Sequence, residues 1–300
     1  MLIKKTSKQD INGLLIIDKP LGFSSNQVLS KIKWLYNPKK VGHTGTLDPL
    51  ATCLLPVCLG EATKFSSYLF DANKTYEAKI KLGFTSPTGD GEGALTDLNI
   101  DTFPNKAEAV DALKSFEGAI EQTPPMHSAL KHNGKPLYQY AREGIEIPRK
   151  KRTVTIFSIK LIDLKKDELL LEIDCSKGTY IRTLAEDIGK KLNVGGYLIG
   201  LKRTVVGSLS INDAISLDSI EESSVEDRFK FINPIDGFLN NFDSLIVNNN
   251  EANAIKDGKI VYKKEALDSI YRLYTQENIF IGLAEGDANG NLKVKRLMAI

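Results

Sequence analysis

The run from Val41 to Pro56, VGHTGTLDPLATCLLP, constrains this chain more than any other stretch. Gly42 and Gly45 permit backbone angles and close approaches that a Cβ forbids, while Pro49 fixes its own φ and drives Asp48 out of the helical region. Asp48 therefore stands on a bent loop between two apolar segments. With Leu47, Leu50, Leu54, Leu55 and Val57 around it, the carboxylate is expected at the edge of the core, where its charge is costly unless paired. Residue chemistry alone leaves two readings open. Asp48 caps a helix or turn that opens at Pro49, or it is a working acid.

Three hundred residues, 42% hydrophobic and 26% charged, suffice for one sizeable core and a smaller appended domain. Cys53, Cys58 and Cys175 have no histidines or further cysteines at zinc spacing, so neither a disulfide framework nor a metal site is expected, and a reducing cytoplasm fits best. The opening MLIKKTSKQD is charged, and no apolar run approaches the roughly 18 residues of a membrane span. A soluble chain without a membrane partner is the expectation, and nothing argues against a monomer.

The net charge of +2 does not announce a nucleic-acid partner. Between His127 and Arg152, however, Lys131, Lys135, Arg142, Arg149, Lys150, Lys151 and Arg152 face only Glu143 and Glu146, with Tyr138 and Tyr140 among them. Such a run is either a solvated face or a surface that neutralises phosphates and offers stacking rings.

Hydrophobic periodicity places the elements. Gly13–Ile17 reads as a buried strand ending at the turn DKPLG, and Ser24 or Ser25 caps a helix to about Tyr36 with Val28, Ile32 and Leu35 on one face. Glu61–Phe70 reads as a short helix. In Lys74–Leu82, Tyr76, Ala78, Ile80 and Leu82 alternate with charged residues, a strand with one buried face. SPTGDGEG, Ser86–Gly93, carries Asp90 and Glu92 where a phosphate cradle would want amides and a lysine, so it reads as an ordered turn. Asn105–Phe116 is a helix. Val154–Leu164 and Glu168–Cys175 are strands, and SKGTYIRTLAEDIGKKL turns at Gly178 into a helix with Ile181, Leu184, Ala185 and Ile188 as its apolar stripe. Arg182 lies at the N-terminal end of that helix, where a cation gains nothing from the dipole. It either meets a specific anion or pairs with Glu186 one turn on. Gly195 and Gly196 lead into the strand YLIGLKRTVVGSLS. Ser210–Asn241 turns polar and reads as a link. Ser244–Ile300 holds short β-like runs, the last two joined by the turn DANG as a hairpin.

Several separate motifs, in order, carry a resemblance: KP (Lys19, Pro20) in LIIDKPLGFSS, then HTGTLDPLAT, KTYEA and CSKGTYIRTL. From about Gly13 to Gly207 the chain resembles the TruB-type family of bacterial tRNA pseudouridine-55 synthases. The resemblance implies an α/β (α+β) pseudouridine-synthase fold with a mixed, mainly antiparallel sheet flanked by helices. It also implies a catalytic domain over 1–243 with a thumb insertion at about 122–153, and a small β-rich PUA-like RNA-binding domain over 244–300. QTPPMHSALKHNGKPLYQYAREGIEIPRK is similar to the family's thumb, with a short helix from Pro136 to Gly144. Two positions depart from the family pattern: Cys53 where glycine follows LAT, and His127 where an aromatic is expected.

The reaction so implied converts uridine to pseudouridine: the bond from the uracil nitrogen to C1′ breaks, the base turns, and C5 joins C1′. It needs no cofactor. It does need a carboxylate near C1′, groups that hold the detached ring, and a base for the C5 proton. The resemblance assigns the carboxylate to Asp48, as nucleophile or as the base that removes a 2′ proton to give a glycal, with Arg182 keeping it ionised and oriented. Tyr76 is placed against the uracil, with Tyr180 and Leu201 lining the pocket and His43 inserting where the flipped base leaves its stack. Lys19 and Pro20 are expected to scaffold the loop. The residues by themselves also suit duller roles, a core tyrosine for Tyr76, packing for Tyr180 and Leu201, and a turn cap for His43. The implied partner is the TΨC stem-loop of tRNA. Two rival readings remain at this level, a non-catalytic RNA-binding protein and a hydrolase using Asp48.

Overall fold

A computed structural model describes residues 7–299; the charged opening at 1–6 and Ile300 lie outside the described residues. Strand β1 (Gly13–Lys19) is buried along nearly its whole length, as a continuous apolar run demands of a strand covered on both faces. Helix α1 (Ser25–Tyr36) starts where expected. Ser24 and Gln27 form a capping box, Asn37 closes the helix in the left-handed conformation, and Val28, Ile32 and Tyr36 turn inward.

The central run folds as β2 (Val41–His43), a loop, and β3 (Ala51–Leu59), in which only Thr52 is not fully buried. A 3₁₀ turn at Gly60–Lys64 and helix α2 (Ser66–Asp71) follow, then β4 (Lys74–Leu82), whose alternating burial matches the period-two pattern. Helix α3 (Lys106–Lys114) leads to β5 (Gly118–Gln122). The overhanging segment contains a two-residue hairpin and α4 (Leu137–Arg142), then β6 (Arg152–Lys165) and β7 (Glu168–Cys175) return the chain to the sheet. Helix α5 (Ile181–Lys191) buries the expected stripe and packs on β8 (Gly196–Val206), with Gly189 against Gly195 and Gly196 so closely that a Cβ at 189 would lie 2.2 Å from the Gly196 nitrogen.

Two short strands, β9 (Leu209–Ser210) and β10 (Ile215–Ser216), complete a ten-stranded sheet in the order β10-β1-β3-β8-β4-β7-β6-β5, with β9 on β8 and β2 on β3. Two pairings, β1 with β10 and β3 with β8, are parallel and the rest antiparallel. The expected mixed, mainly antiparallel architecture is the one found.

Ser210–Asn241 is not a loose link. Besides β10 it contributes helix α6 (Leu217–Glu222), and Leu217, Ile220, Ile235, Phe238 and Leu239 are buried. Its apolar residues are scattered among short turns, which left no periodicity to read. The C-terminal unit comprises β11 (Asp243–Val247), α7 (Asn249–Lys256), β12 (Val261–Tyr262), β13 (Ile270–Thr275), β14 (Phe280–Gly286) and β15 (Asn291–Leu297). β14 and β15 form the expected hairpin. Phe280 and Leu283 pack with Phe65, Leu69 and Phe238, joining this unit to the larger one through a shared apolar cluster. Among the described residues no helix is long and apolar enough to cross a membrane.

Candidate active site

The loop carrying Asp48 is held by its neighbours' backbone and hydroxyl groups, not by a helix. Leu47 N donates to Ser25 Oγ (2.9 Å), Gly22 N to Pro49 O (2.9 Å) and Ala51 N to Asp48 O (3.1 Å). Pro49 thus opens a single turn that runs straight into β3. The buried Lys19 ammonium donates to the carbonyls of Pro20 (3.1 Å) and Phe23 (2.6 Å), fixing the turn that supplies Gly22. Lys19 and Pro20 therefore do scaffold the loop. Cys53 sits inside β3, opposite Lys19 on one side and Arg203 on the other, so the thiol occupies core space and leaves the turn before Ala51 intact.

Arg182 reaches Asp48 from the far side of the cleft. Its Nε lies 3.0 Å from Asp48 Oδ2, Nη1 lies 3.2 Å from Asp90 Oδ2 and donates to Thr88 O (3.2 Å), and Nη2 donates to His127 O (2.6 Å). All three guanidinium nitrogens thus have partners, and Arg182 is only 6% exposed. The surface pairing with Glu186 is not formed. Tyr180 precedes the helix and is clamped by Gln122, whose side chain accepts from Tyr180 N (3.0 Å) and donates to Tyr180 O (3.3 Å).

Burial pushes the Asp48 carboxyl above the ordinary carboxylate range; Arg182 opposes the shift and the neighbouring Asp90 adds to it. The pairing orients Asp48 but does not outweigh desolvation. The Tyr76 phenol is likewise raised by burial, against the opposing charge of Arg203.

Asp48, Tyr76, Tyr180, Arg182 and Leu201 line a single cleft of about 380 Å³. The sheet register explains the meeting: Tyr76 on β4 stands opposite Arg203 on β8 and Ile173 on β7, while Leu201 on β8 stands between Ala51 and Ala78. His43 does not line the cleft; it lies on β2 opposite Val57, half-buried, with burial lowering its proton affinity. His127 contributes its backbone carbonyl to Arg182.

Four buried residues around this site carry no clear signal in the sequence. Asp90, in sequence terms, argues only against a phosphate loop. The segment is indeed an ordered turn, Asp90 Oδ1 accepting from Thr88 Oγ1 (2.6 Å) and Glu92 N (3.0 Å), but its other oxygen joins the arginine. Gly89, at φ +72°, brings that turn against α5: a Cβ there would lie 3.1 Å from Arg182 Cβ. Arg203, 1% exposed, donates from Nε and Nη2 to Leu54 O (3.0 and 2.8 Å). Lys74 donates to the carbonyls of Leu69, Phe70 and Ala72 at the end of α2, and burial pulls its ammonium down to about 8. Only the charge of Arg203 inside a strand pattern hinted at any of these.

Consecutive family models cover this geometry, the TruB family pseudouridylate synthase N-terminal domain over residues 33–181 and two C-terminal domain models of the same enzymes over 182–245 and 244–298. The chain belongs to the TruB family of pseudouridylate synthases. The tRNA pseudouridine synthase B of Methylobacillus flagellatus is 44% identical over 98% of this chain and 97% of its own length, and that of Dechloromonas aromatica 45% identical over 100% and 99%. A chain of a Cbf5-Nop10-Gar1 complex superposes with a TM-score of 0.72 at 24% identity, over 95% of this chain and 84% of that one. That likeness concerns the fold, which is the pseudouridine-synthase fold the motifs implied.

Proposed function

We propose that this pseudouridine synthase isomerises uridine 55 in the TΨC arm of tRNA, as a monomer and without a cofactor, with Asp48 as the acting carboxylate. The observation that carries the reading is the Asp48–Arg182 pair, 3.0 Å apart, at the wall of a cleft also lined by Tyr76, Tyr180 and Leu201. A cleft of this size admits one nucleoside, so the target base must leave its stack at a cost of a few kcal/mol. His43, on the loop side of β2, is positioned outside the cleft, which suits a residue that fills the gap left in the RNA. In this reading 1–243 is the catalytic domain, its thumb at 122–153 closes over the arm, and 244–300 is a PUA-like domain that adds RNA contacts.

Asp48 acts on C1′ or on the 2′ proton; both routes use the same ionised oxygen, oriented by Arg182 Nε. Tyr76 and Leu201 hold the detached ring between β4 and β8 while it turns, and Tyr76 takes the C5 proton once C5 has joined C1′. Unmodified tRNA labelled with tritium at C5 of uridine tests the assignment. Asp48→Asn should bind the RNA and release no tritium, whereas turnover near the native level would remove the role of Asp48. Replacing uridine 55 by cytidine should abolish release by the native protein, and persistence would overturn the position. Free uracil as product would mark a hydrolase, and binding without pseudouridine a non-catalytic RNA-binding protein.

A further inference from the structure

Arg203 is a charged group sealed in the sheet without a counter-ion. Among the described residues no carboxylate comes within ion-pair distance of it, although it is 1% exposed and lines the cleft. Part of its role is plain from the strand pairing. β8 runs beside β3 only as far as Arg203 and Cys53, and β2 takes over beside β3 from Val57. Between them the Leu54 carbonyl has no ladder partner, and Pro56 has no amide proton to offer. Nε and Nη2 of Arg203 fill that gap. A neutral donor could have done so without bringing a buried charge.

The remaining nitrogen, Nη1, points towards the cleft. A Cβ on Gly45 would lie 2.9 Å from it, and Gly45, at φ +90°, keeps the Asp48 loop clear of the guanidinium. Tyr76 is the residue opposite Arg203 across the strand pair; both side chains line the cleft, and the guanidinium charge opposes the rise that burial imposes on the phenol's proton affinity. The Arg203 charge adds to the burial that lowers the proton affinity of His43, Lys19 and Lys74, the last of these on the same cleft; Cys53 stands opposite Arg203 on β3, Cys175 lies on β7 beside β4, and burial holds both thiols neutral.

We propose that Arg203 is a positioning residue of the isomerisation: anchored by Leu54 O opposite Tyr76, it fixes at the cleft wall the positive charge that lets the Tyr76 oxygen act as a base. The proposal rests on the reading of Tyr76 given above. The step it serves is the last one. After C5 has bonded to C1′, the C5–H bond breaks and the proton passes to the Tyr76 phenolate oxygen. The electron pair left behind forms C5=C6, and the former C6=N1 pair takes a proton from water at N1. A cation fixed next to the phenolate favours the form that accepts the proton, and a cation with no carboxylate of its own is not neutralised beforehand.

Single-turnover conversion of tRNA, followed across neutral and alkaline pH with saturating protein, tests this. Arg203→Gln is expected to slow conversion by roughly 100-fold near neutrality, with tRNA affinity unchanged, and the deficit should shrink as pH rises and the phenol ionises unaided. Arg203→Lys, which keeps the charge but not the two-pronged anchor, should recover part of the rate. In a Tyr76→Phe background the Arg203→Gln change should add less than about a threefold loss, because its target is already gone. A pH-independent loss that is equally large in both backgrounds would overturn the proposal while leaving the proposed reaction standing, since that is judged on the native protein. Should Arg203→Gln fail to fold, Gly45→Ala reaches the same contact from the loop. Its Cβ displaces Nη1, and the proposal requires the same pH-dependent deficit and fails without it.

Discussion

In β3, part of the sheet whose β4 and β8 floor the cleft, every residue but Thr52 is buried, while α4, in the segment that overhangs the cleft, buries Leu137 alone. The floor takes its order from strand pairing and from cations spent on carbonyls: Lys19, Lys74 and Arg203 are all sealed in, each donating to main-chain oxygen. The overhang is held by two-residue pairings and by exposed ion pairs such as Lys135–Glu143 and Lys151–Glu121, which contribute about 0–1 kcal/mol each. Its rings are engaged with its own cations, Lys135 over Tyr140 at 4.4 Å and Arg142 over Tyr138 at 5.5 Å. Arg182 bridges the two regions, bonded to Asp48 on one side and to the His127 carbonyl on the other. Under the proposed function this is a division of labour, with geometry for chemistry stored where nothing can relax and contacts for a large polyanion where rearrangement is cheap.

The two regions depend on each other most at the residue that bridges them. Arg182→Met leaves the buried Asp90 without its cation and is expected to cost about 3–5 kcal/mol in urea denaturation, with turnover lost. A stable, active variant would show that the two regions do not depend on this residue.

Asp90→Asn is a gentler cut, since Arg182 keeps Asp48 and its two carbonyls. The conversion rate should fall by up to about 100-fold through misorientation of the guanidinium, with tRNA affinity held. An unchanged rate would place Asp90 outside the working unit.

The raised proton affinity of Asp48 acts oppositely on activity and stability. In the proposed role the ionised form of Asp48 is the active one, so the acid limb of the rate profile should lie above the ordinary carboxylate range and vanish from the binding profile. The folded chain holds this proton more tightly than the unfolded chain does. Its stabilising share is therefore complete below the ordinary carboxylate value and lost as pH climbs through the raised one. Asp48→Asn, a mimic of the neutral form, should keep or raise the melting temperature at neutral pH. A clear drop would mean that the ion pair outweighs burial.

The smallest effect on chemistry belongs to the overhang. Replacing Lys131, Arg142 and Lys150 together by alanine should weaken tRNA binding and flatten its salt dependence by about one unit per lost phosphate contact, with the conversion rate at saturation unchanged. A fall in that rate would show that the overhang shapes the site as well as covering it.

Period-two burial in Lys74–Leu82, the capped helix at Ser25, the apolar stripe from Ile181 and the final hairpin were all legible, because each is written in neighbouring residues. So was the bent loop, since Gly45 and Pro49 leave Asp48 few conformations. β13 gives a weaker signal, since the polar Arg272 and Tyr274 between Tyr271 and Leu273 blur its alternation, and Ser210–Asn241 reads as a link because isolated apolar residues carry no period. The site was legible to the extent that motifs named its members. Asp48, Tyr76, Tyr180, Arg182 and Leu201 share a cleft, but nothing local to TGDG or LKRT said that Asp90 and Arg203 would be buried beside them.

Side-chain spacing and allowed backbone angles were enough to tell most strands from helices, which faces turn inward and which acid sits on a constrained turn. Only the tertiary structure decided how charge is distributed around that acid. A buried ion's cost and its partners depend on strands brought together from distant parts of the chain, as Arg182 meets Asp48 and Asp90, and as Arg203 meets Leu54 and Tyr76.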